Sequence, residues 1–519
     1  MADFYTGGNR DQMFLMPVSM WDWLPAQHPV WVLISAVSLL DTSAFHARHP
    51  NRGPGRPAYD PGMMLTLLLY AYGTGLRSSR RIEANCRTDA ALRVICGGPV
   101  PDHATIARFL VDHQDAIQDS FVEVVRLCAE AGLVSVASIA IDGTKISADA
   151  ALGRNRTAAW IRAEVECILR EAMALDRAEA GAGAPPLDLF GSATLPPELS
   201  TADRRLTRLN AALAQIEASD RAAQEEVEAH ARKATMAATE GRRLRGSRPR
   251  EPRAALARAQ ADYAAVLAQT EAKAARRAAL EQTAVEHGRR VTGRRPTPRR
   301  QLEQAAAVLE AAQTAVENLE GETRKANVTD PDSRVMSTAK GWVQGYNAQA
   351  AVNEQQIVIA CAVTQDATDV HQYQPMVAAV QGVLDAVGIS RPIGVVLADA
   401  GYWSEANATA DGPDRLIATQ KDWKQRRAAR ELGTALGPPP AGIPAVEAME
   451  HRLRTAEGAE AYARRSQTVE PVFGEYKELR KFRRFRRRGL AAVQSEWALM
   501  NASHNLAKLF RHQIAQRLI

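Results

Sequence analysis

At 519 residues, 46% of them hydrophobic, the chain is long enough to bury more than one core without cross-links. Its five cysteines (Cys86, Cys96, Cys128, Cys167, Cys361) are scattered and lack any CxxC spacing, which argues against a zinc ribbon or a secreted disulfide scaffold. The net charge of +6 points to a polyanionic partner. No basic n-region precedes an apolar run, and Val30 to Leu40 falls short of the ~20 residues that span a bilayer, so a cytoplasmic protein with no membrane contact is expected.

Residues 1 to about 130 read as an all-α domain. Asp60-Pro61 is a helix start, a capping carboxylate followed by proline at the first helical position, and Gly73 and Gly75 end the apolar run it opens. Short helices are predicted from Ser78 to Cys86 and from Ala90 to Ile95. Gly97, Gly98 and Pro99 then break the chain, and Asp102 caps a further helix, HATIARFLVDH. Several short helices with tight turns suit either a DNA-binding helix-turn-helix or a plain bundle.

Ser135 to Ile146 (SVASIAIDGTKI) is rich in β-branched residues and reads as a buried strand. Thr157 to Lys325 is then rich in Ala, Glu and Arg and reads as helical. Leu206, Leu209, Leu213 and Ile216, and again Leu302, Ala305, Leu309, Ala312, Val316 and Leu319, fall at coiled-coil spacing. Arginine clusters at 242–253 and 289–300 suggest an antiparallel helical hairpin with a basic tip, and 181–201 reads as a loop.

After Asn327 strand signals return: YNAQAAVNEQQ and IVIACAVTQDA form a predicted hairpin, Gln372 to Val387 a helix, GVVLADAG a buried strand ended by Gly401, and LIAT a further strand. Residues 422–448 read as irregular, and the part from Ala456 as helical, interrupted by KFRRFRRRG.

Two aspartates emerge from the apolar strands, Asp142 after SIAI and Asp399 after VVLA, each with a glycine close behind. Singly, either could cap the next turn. If the strands are neighbours, the carboxylates converge, and convergent carboxylates favour Mg²⁺. Two such ions, roughly 3.5–4 Å apart, could activate a water or a DNA 3′-hydroxyl and stabilise the leaving oxygen. Glu470 is the candidate third ligand from a helix, whereas Glu475 and Glu478 read as surface partners of nearby arginines.

Those residues carry a specific resemblance. The run from GRPAYDPGMM to PDHATIARF resembles the N-terminal domain of DDE transposases of bacterial insertion sequences. IDGTKISADA and LADAGYWSEAN resemble their two aspartate strands, and VEPVFGEYKELRKFRRFRRRG their glutamate region. The likeness runs from about residue 50 to the end. It implies an α/β ribonuclease H-like core interrupted by a long helical coiled-coil insertion and preceded by the all-α domain. The implied segments are 1–130 (DNA-binding or dimerisation), 131–156 and 327–480 (the two parts of the core), 157–326 (insertion) and 481–519 (basic helical region).

It further implies metal-dependent cleavage at element ends and strand transfer, with Asp142, Asp399 and Glu470 as catalytic metal ligands, Mg²⁺ (or Mn²⁺) as cofactor and a dimer or larger assembly. Lys477 stands at the family's distance from Glu470, and Tyr462 and Arg465 at the right distance from each other. Arg465 lies one position further from Glu470 than the pattern has it, which leaves Arg464 open. The lysine and arginine would hold phosphates near the scissile bond.

Lys481, Arg483, Arg484, Arg486, Arg487 and Arg488, interleaved with two phenylalanines, form a basic cluster beside the glutamate and are expected to contact DNA phosphates. Thr105 and Arg108 could face a groove from the N-terminal domain. A nuclease without strand transfer, or a decayed or repurposed DNA-binding protein, would share much of this sequence. Trp497, His504 and Asn505 are assigned no chemistry.

Overall fold

A computed structural model describes residues 19–47, 58–179, 202–240, 249, 251–286, 299–319, 324–421, 427 and 431–517. The chain divides into two compact units, Met1–Leu152 with Asp332–Ile519, and Gly153–Pro331.

Among the described residues the first unit opens with seven α-helices: α1 (Pro29–Ser38), α2 (Ser43–His46), α3 (Pro61–Gly73), α4 (Ser79–Thr88), α5 (Ala90–Cys96), α6 (His103–Asp112) and α7 (Gln114–Glu130). Carboxylate caps start three of them. Asp60 accepts from the Met63 amide (2.7 Å), Asp89 from Leu92 (3.0 Å) and Asp102 from Thr105 (2.7 Å), each satisfying an amide that has no partner inside its helix. Gly97 ends α5 in the left-handed conformation, φ 62°. Helix α3 is apolar on nearly all sides because it is buried on nearly all sides.

Strand β1 (Ser138–Ser147) follows. It starts three residues later than expected and ends one residue later, at Ser147, running through Asp142. The second unit then holds β2 (Asn155–Thr157) paired antiparallel to β3 (Lys325–Asn327), with helices α8 (Ala158–Glu179), α9 (Ala202–Thr239), α10 (Pro252–Glu286) and α11 (Arg299–Leu319) between them. The expected single hairpin is replaced by successive packing of α8 on α9, α9 on α10 and α10 on α11. Leu209 and Ile216 are buried with Ile161 and Ile168 of α8, the reason for that heptad-like spacing. The proposed loop 181–201 and nearly all of the arginine-rich tip lie outside the described residues.

Back in the first unit come β4 (Arg334–Thr338), β5 (Gly341–Asn353), β6 (Val358–Thr364), α12 (Tyr373–Ala386), β7 (Val395–Ala398), α13 (Glu405–Thr409), β8 (Asp414–Ile417), α14 (Ala445–Arg454), α15 (Ala456–Gly474) and α16 (Leu490–Arg517). With β1 these strands make one mixed sheet. β5 pairs antiparallel with β1, β4 and β6, while β7 and β8 run parallel to β1. The strand carrying VVLA ends at Ala398 and not at Gly401, because Asp399 caps the tight turn Ala400–Tyr402.

The sheet has an apolar layer on each face. Ile139, Ile141, Val396 and Ala398 pack with α12, and Ala140, Ile146 and Leu397 join the larger core around α16 and the N-terminal helices. Helix α16 anchors that core by polar means as well. Asn505 pairs with both backbone groups of Val358 (2.9 and 2.8 Å), and Trp497 Nε1 donates to the Gln349 carbonyl (2.9 Å). Buried polar side chains on a central helix are tolerated because each finds such a partner.

Candidate catalytic site

The parallel register of β1 on β7 pairs Ile141 with Ala398, so the next residues, Asp142 and Asp399, stand level on neighbouring strands. Side chains alternate across a sheet. Ile141 and Ala398 enter the α12 layer, as do Ile139 and Val396, so both aspartates turn toward the α16 side, with Ala140 and Leu397. The two carboxylates thus share an edge and a face, an arrangement that only the long separation in sequence conceals.

Asp142 is the more buried. Its Oδ1 accepts from the Gly143 amide (2.8 Å) and its Oδ2 from Arg465 Nη1 (3.0 Å). Burial pushes its carboxyl up to about 7, the Arg465 guanidinium opposing and the Asp399 charge adding to the rise. Asp399 Oδ1 accepts from the Gly401 amide (2.9 Å).

Helix α15 brings the remaining groups. Arg465 is 7% exposed, and its Nη2 lies 3.6 Å from Glu470 Oε1, whose side chain is 53% exposed. One guanidinium therefore faces both Asp142 and Glu470, and the position of Arg465 in the sequence does not displace it from the site. Arg464 instead pairs at the surface with Glu460 and Glu354. Tyr462, one turn before Arg465, packs partly buried against the main core.

Pro471 sits inside α15 and cannot donate to the Gln467 carbonyl. Gln356 Nε2 takes that acceptor instead, at 2.9 Å. The helix then widens into a π-helical turn, Glu475–Leu479. Lys477 lies on this turn, half-buried. Burial lowers its pKa, and the Asp142 charge resists the fall.

Glu478 pairs with Arg483 at the surface, as expected, but Glu475 does not lie in a surface pair. It is held inside by Arg480 (2.6 Å), with His504 Nδ1 3.5 Å away.

The sequence reading passed over Asp369, which precedes α12. Its Oδ1 accepts from Asn347 Nδ2 (2.7 Å) and Gln349 Nε2 (2.8 Å), and the Tyr402 hydroxyl donates to Gln349. This network fills the space under the two aspartates. A Cβ on Gly143 would lie 2.4 Å from Asp369 Oδ1, and one on Gly401 3.2 Å from Asp369 Oδ2. At Gly143 a Cβ would collide with this network, while at Gly401 it would crowd Asp399 Oδ1 (3.0 Å) as well as Asp369. The available signal was Asn347 and Gln349 at alternate positions of an otherwise apolar strand, since buried amides demand partners.

The basic cluster is not helical; it is an irregular strap before α16. Phe482 and Phe485 turn into the core. The Phe485 amide donates to the Ser147 carbonyl (2.8 Å) and the Ser147 amide to the Arg483 carbonyl (3.3 Å), which lays the strap beside the end of β1. The buried Glu496 carboxylate accepts from the amides of Arg486 and Arg487 (2.9 and 3.1 Å). Arg487 is half-buried against Ser495, and Arg488 pairs with Asp149 at 2.7 Å, so these two brace the strap. Lys481, Arg483, Arg484 and Arg486 are exposed. Thr105 and Arg108 lie on α6, which packs on α4 and α7, and are not among the groups facing Asp142.

Among the described residues no three acidic, histidine or cysteine side chains already converge as a metal cage. The donor chemistry nonetheless fits a hard divalent cation. All three candidates offer carboxylate oxygens, the hard donors such a cation takes, and two of them stand level on adjacent strands.

Two family models match the chain: Transposase domain (DUF772) over residues 18–112, and Transposase DDE domain over residues 440–510. Both describe transposases, so the chain is a nucleic-acid-processing protein of transposition. Together they support a DDE transposase of the insertion-sequence type. The second match contains Glu470, Lys477 and the strap but neither aspartate. No curated protein and no solved structure matches the chain. Among the described residues no helix is long and apolar enough to cross a membrane.

Proposed function

We propose that this transposase cleaves double-stranded DNA at the terminal inverted repeats of its element and joins the freed 3′-hydroxyl to target DNA. Asp142, Asp399 and Glu470 are the proposed catalytic carboxylates and would hold two Mg²⁺ ions, with Mn²⁺ able to substitute. The observation that carries this reading is the level placement of Asp142 and Asp399 on parallel strands, with Arg465 reaching from Asp142 to Glu470. The mixed sheet, antiparallel on one side of β1 and parallel on the other, supports a ribonuclease H-like core, and the inward heptads of α9 support coiled-coil packing in the second unit.

When bound, the ions would activate the attacking oxygen and stabilise the leaving one. The chain's own groups do the rest. The Gly143 and Gly401 amides orient the aspartates. Arg465 and Lys477 supply fixed positive charge beside them, suited to gripping the phosphates that flank the scissile bond. Asp369, through Asn347 and Gln349, holds the floor of the site. Lys481, Arg483, Arg484 and Arg486 extend a basic track from it, and Tyr462, Thr105 and Arg108 are proposed DNA contacts at its margins. Handling two element ends at once calls for a homodimer or larger assembly.

The test is to incubate the purified chain with DNA carrying the element's flanks, in Mg²⁺, Mn²⁺ or chelator, beside Asp399→Ala. Metal-dependent cuts at the repeat ends with joined products, lost in the variant, are expected. Cuts without joining would reduce the protein to a nuclease; binding without cuts in any metal would reduce it to a DNA-binding protein.

A further inference from the structure

A cavity of about 310 Å³ lies where the start of α4 meets the strap. Arg77, Ser78, Arg81, Arg480, Lys481 and Arg486 line it, and no acidic residue does. Two of these cations are already engaged. Arg480 is held by Glu475. Arg77, 7% exposed, donates to the carbonyls of Arg484 (2.6 Å) and Lys481 (2.8 Å), with its guanidinium 4.5 Å over the Phe482 ring. Arg77 thus ties the strap to the N-terminal helices and sets the cavity's width, while its Nε stays buried without a partner.

Arg81, Lys481 and Arg486 are exposed, and among the described residues no carboxylate pairs with them. Ser78 caps α4 in an extended conformation, yet its hydroxyl makes no capping bond, so the first-turn amides keep their capacity for an acceptor. Three unpaired cations, an uncapped helix start and no acid make a pocket suited to one tetrahedral dianion or phosphodiester.

We infer that this cavity seats a backbone phosphate of duplex DNA, so that one phosphate is gripped jointly by the N-terminal helices and by the strap beside the catalytic glutamate. The inference rests on the DNA reading above but adds Ser78 and Arg81, on a different domain match, to the contact. A bridge of this kind would fix the register of the N-terminal helices and the catalytic edge on one duplex, because phosphate contacts position without reading sequence.

Binding of a labelled duplex by the full chain, in chelator, measured by fluorescence anisotropy between about 50 and 200 mM salt, tests it. Arg81→Gln and Arg486→Gln should each weaken binding several-fold and shallow the slope of log K on log salt by about 0.9. Lys481→Gly should do the same with its melting temperature retained, since Lys481 has φ 53° and glycine accepts that conformation freely. Arg80→Gln, an exposed neighbour that does not line the cavity, should leave the slope unchanged.

A wild-type chain that binds no duplex at any salt overturns the DNA reading itself. Wild-type binding with the cavity variants unchanged, or with Arg80→Gln equally impaired, overturns the phosphate seat alone. Displacement of duplex by inorganic phosphate at constant ionic strength, lost in Arg81→Gln, would assign the cavity to the free anion instead.

Discussion

Asp142→Asn is expected to abolish cleavage and yet, in chelator, to raise the stability of the protein near pH 8. The carboxyl is pushed from its ordinary 3.8 to about 7, chiefly by burial, with Arg465 opposing and Asp399 adding. A carboxyl whose folded value lies above its unfolded one releases its proton more readily in the unfolded chain. Stability therefore falls as pH rises from about 4 to about 7 and stays low above that. A gap of roughly 3 pH units at about 1.4 kcal/mol each is a cost of about 4 kcal/mol at pH 8. Asparagine carries no charge and escapes this cost. It gives up one acceptor, used by Arg465 or Gly143, for about 1 kcal/mol.

The variant should therefore gain about 3 kcal/mol near pH 8 and lose about 1 near pH 4. Thermal unfolding across that range reads the difference as a crossing of the two curves, with a gap on the order of 5 °C at the alkaline end. Adding Mg²⁺ should then raise the wild type by mass action and leave the variant nearly still. Parallel pH curves would refute the buried ionised carboxylate, and equal shifts with Mg²⁺ would refute Asp142 as a ligand.

Arg465→Ala leaves Asp142 without its cation. It should cost about 1 kcal/mol more near pH 8 than near pH 5, because Asp142 then takes up a proton in place of its lost cation; the same melts measure it. Gly143→Ala places a Cβ 2.3 Å from Gln349 Nε2 and 2.4 Å from Asp369 Oδ1, so about 1–3 kcal/mol of stability and most cleavage should be lost. Gly474→Ala, with nothing within 4 Å, should be neutral or stabilising in the same denaturation series.

Burial alone would raise the Glu475 carboxyl, but His504 and Arg480 more than offset it and hold it at about 2. That contribution is present above about pH 4.5 and is lost as pH falls through about 2. Glu475→Gln should therefore flatten the acid limb of the unfolding curve by about 3 kcal/mol, measured by acid titration of the circular dichroism signal.

Several of these residues were legible in the sequence because local chemistry announces itself. Asp60-Pro61 and Asp102 declare helix starts, and the β-branched runs before Asp142 and Asp399 declare buried strands. What local chemistry cannot carry is adjacency. That β1 lies next to β7 is a matter of sheet order, and that Arg465 reaches Asp142 depends on how α15 crosses the sheet edge. Asp369 was missed for the same reason: alone in a loop it resembles any turn aspartate. The strap was read as a break in a helix, but its brace, Glu496, sits in the following helix and is recognisable only once it is seen to be buried among arginine amides.

The two faces of the sheet edge divide the work, and the division explains why the glycines stand where they do. Asp142 and Asp399 project toward α15, where buried Arg465 is held against Asp142 and a half-exposed Glu470 lies on its other side. On the opposite face Asn347, Gln349, Tyr402 and Asp369 are short or buried and hydrogen-bonded to one another, so that side cannot move without unpairing buried amides. Gly143 and Gly401 lie between, and removing their Cβ atoms lets the rigid network press directly on the backbone that carries each carboxylate. The proposed carboxylate site would need ligands fixed at the root, and a polar floor beneath two otherwise apolar strands supplies that.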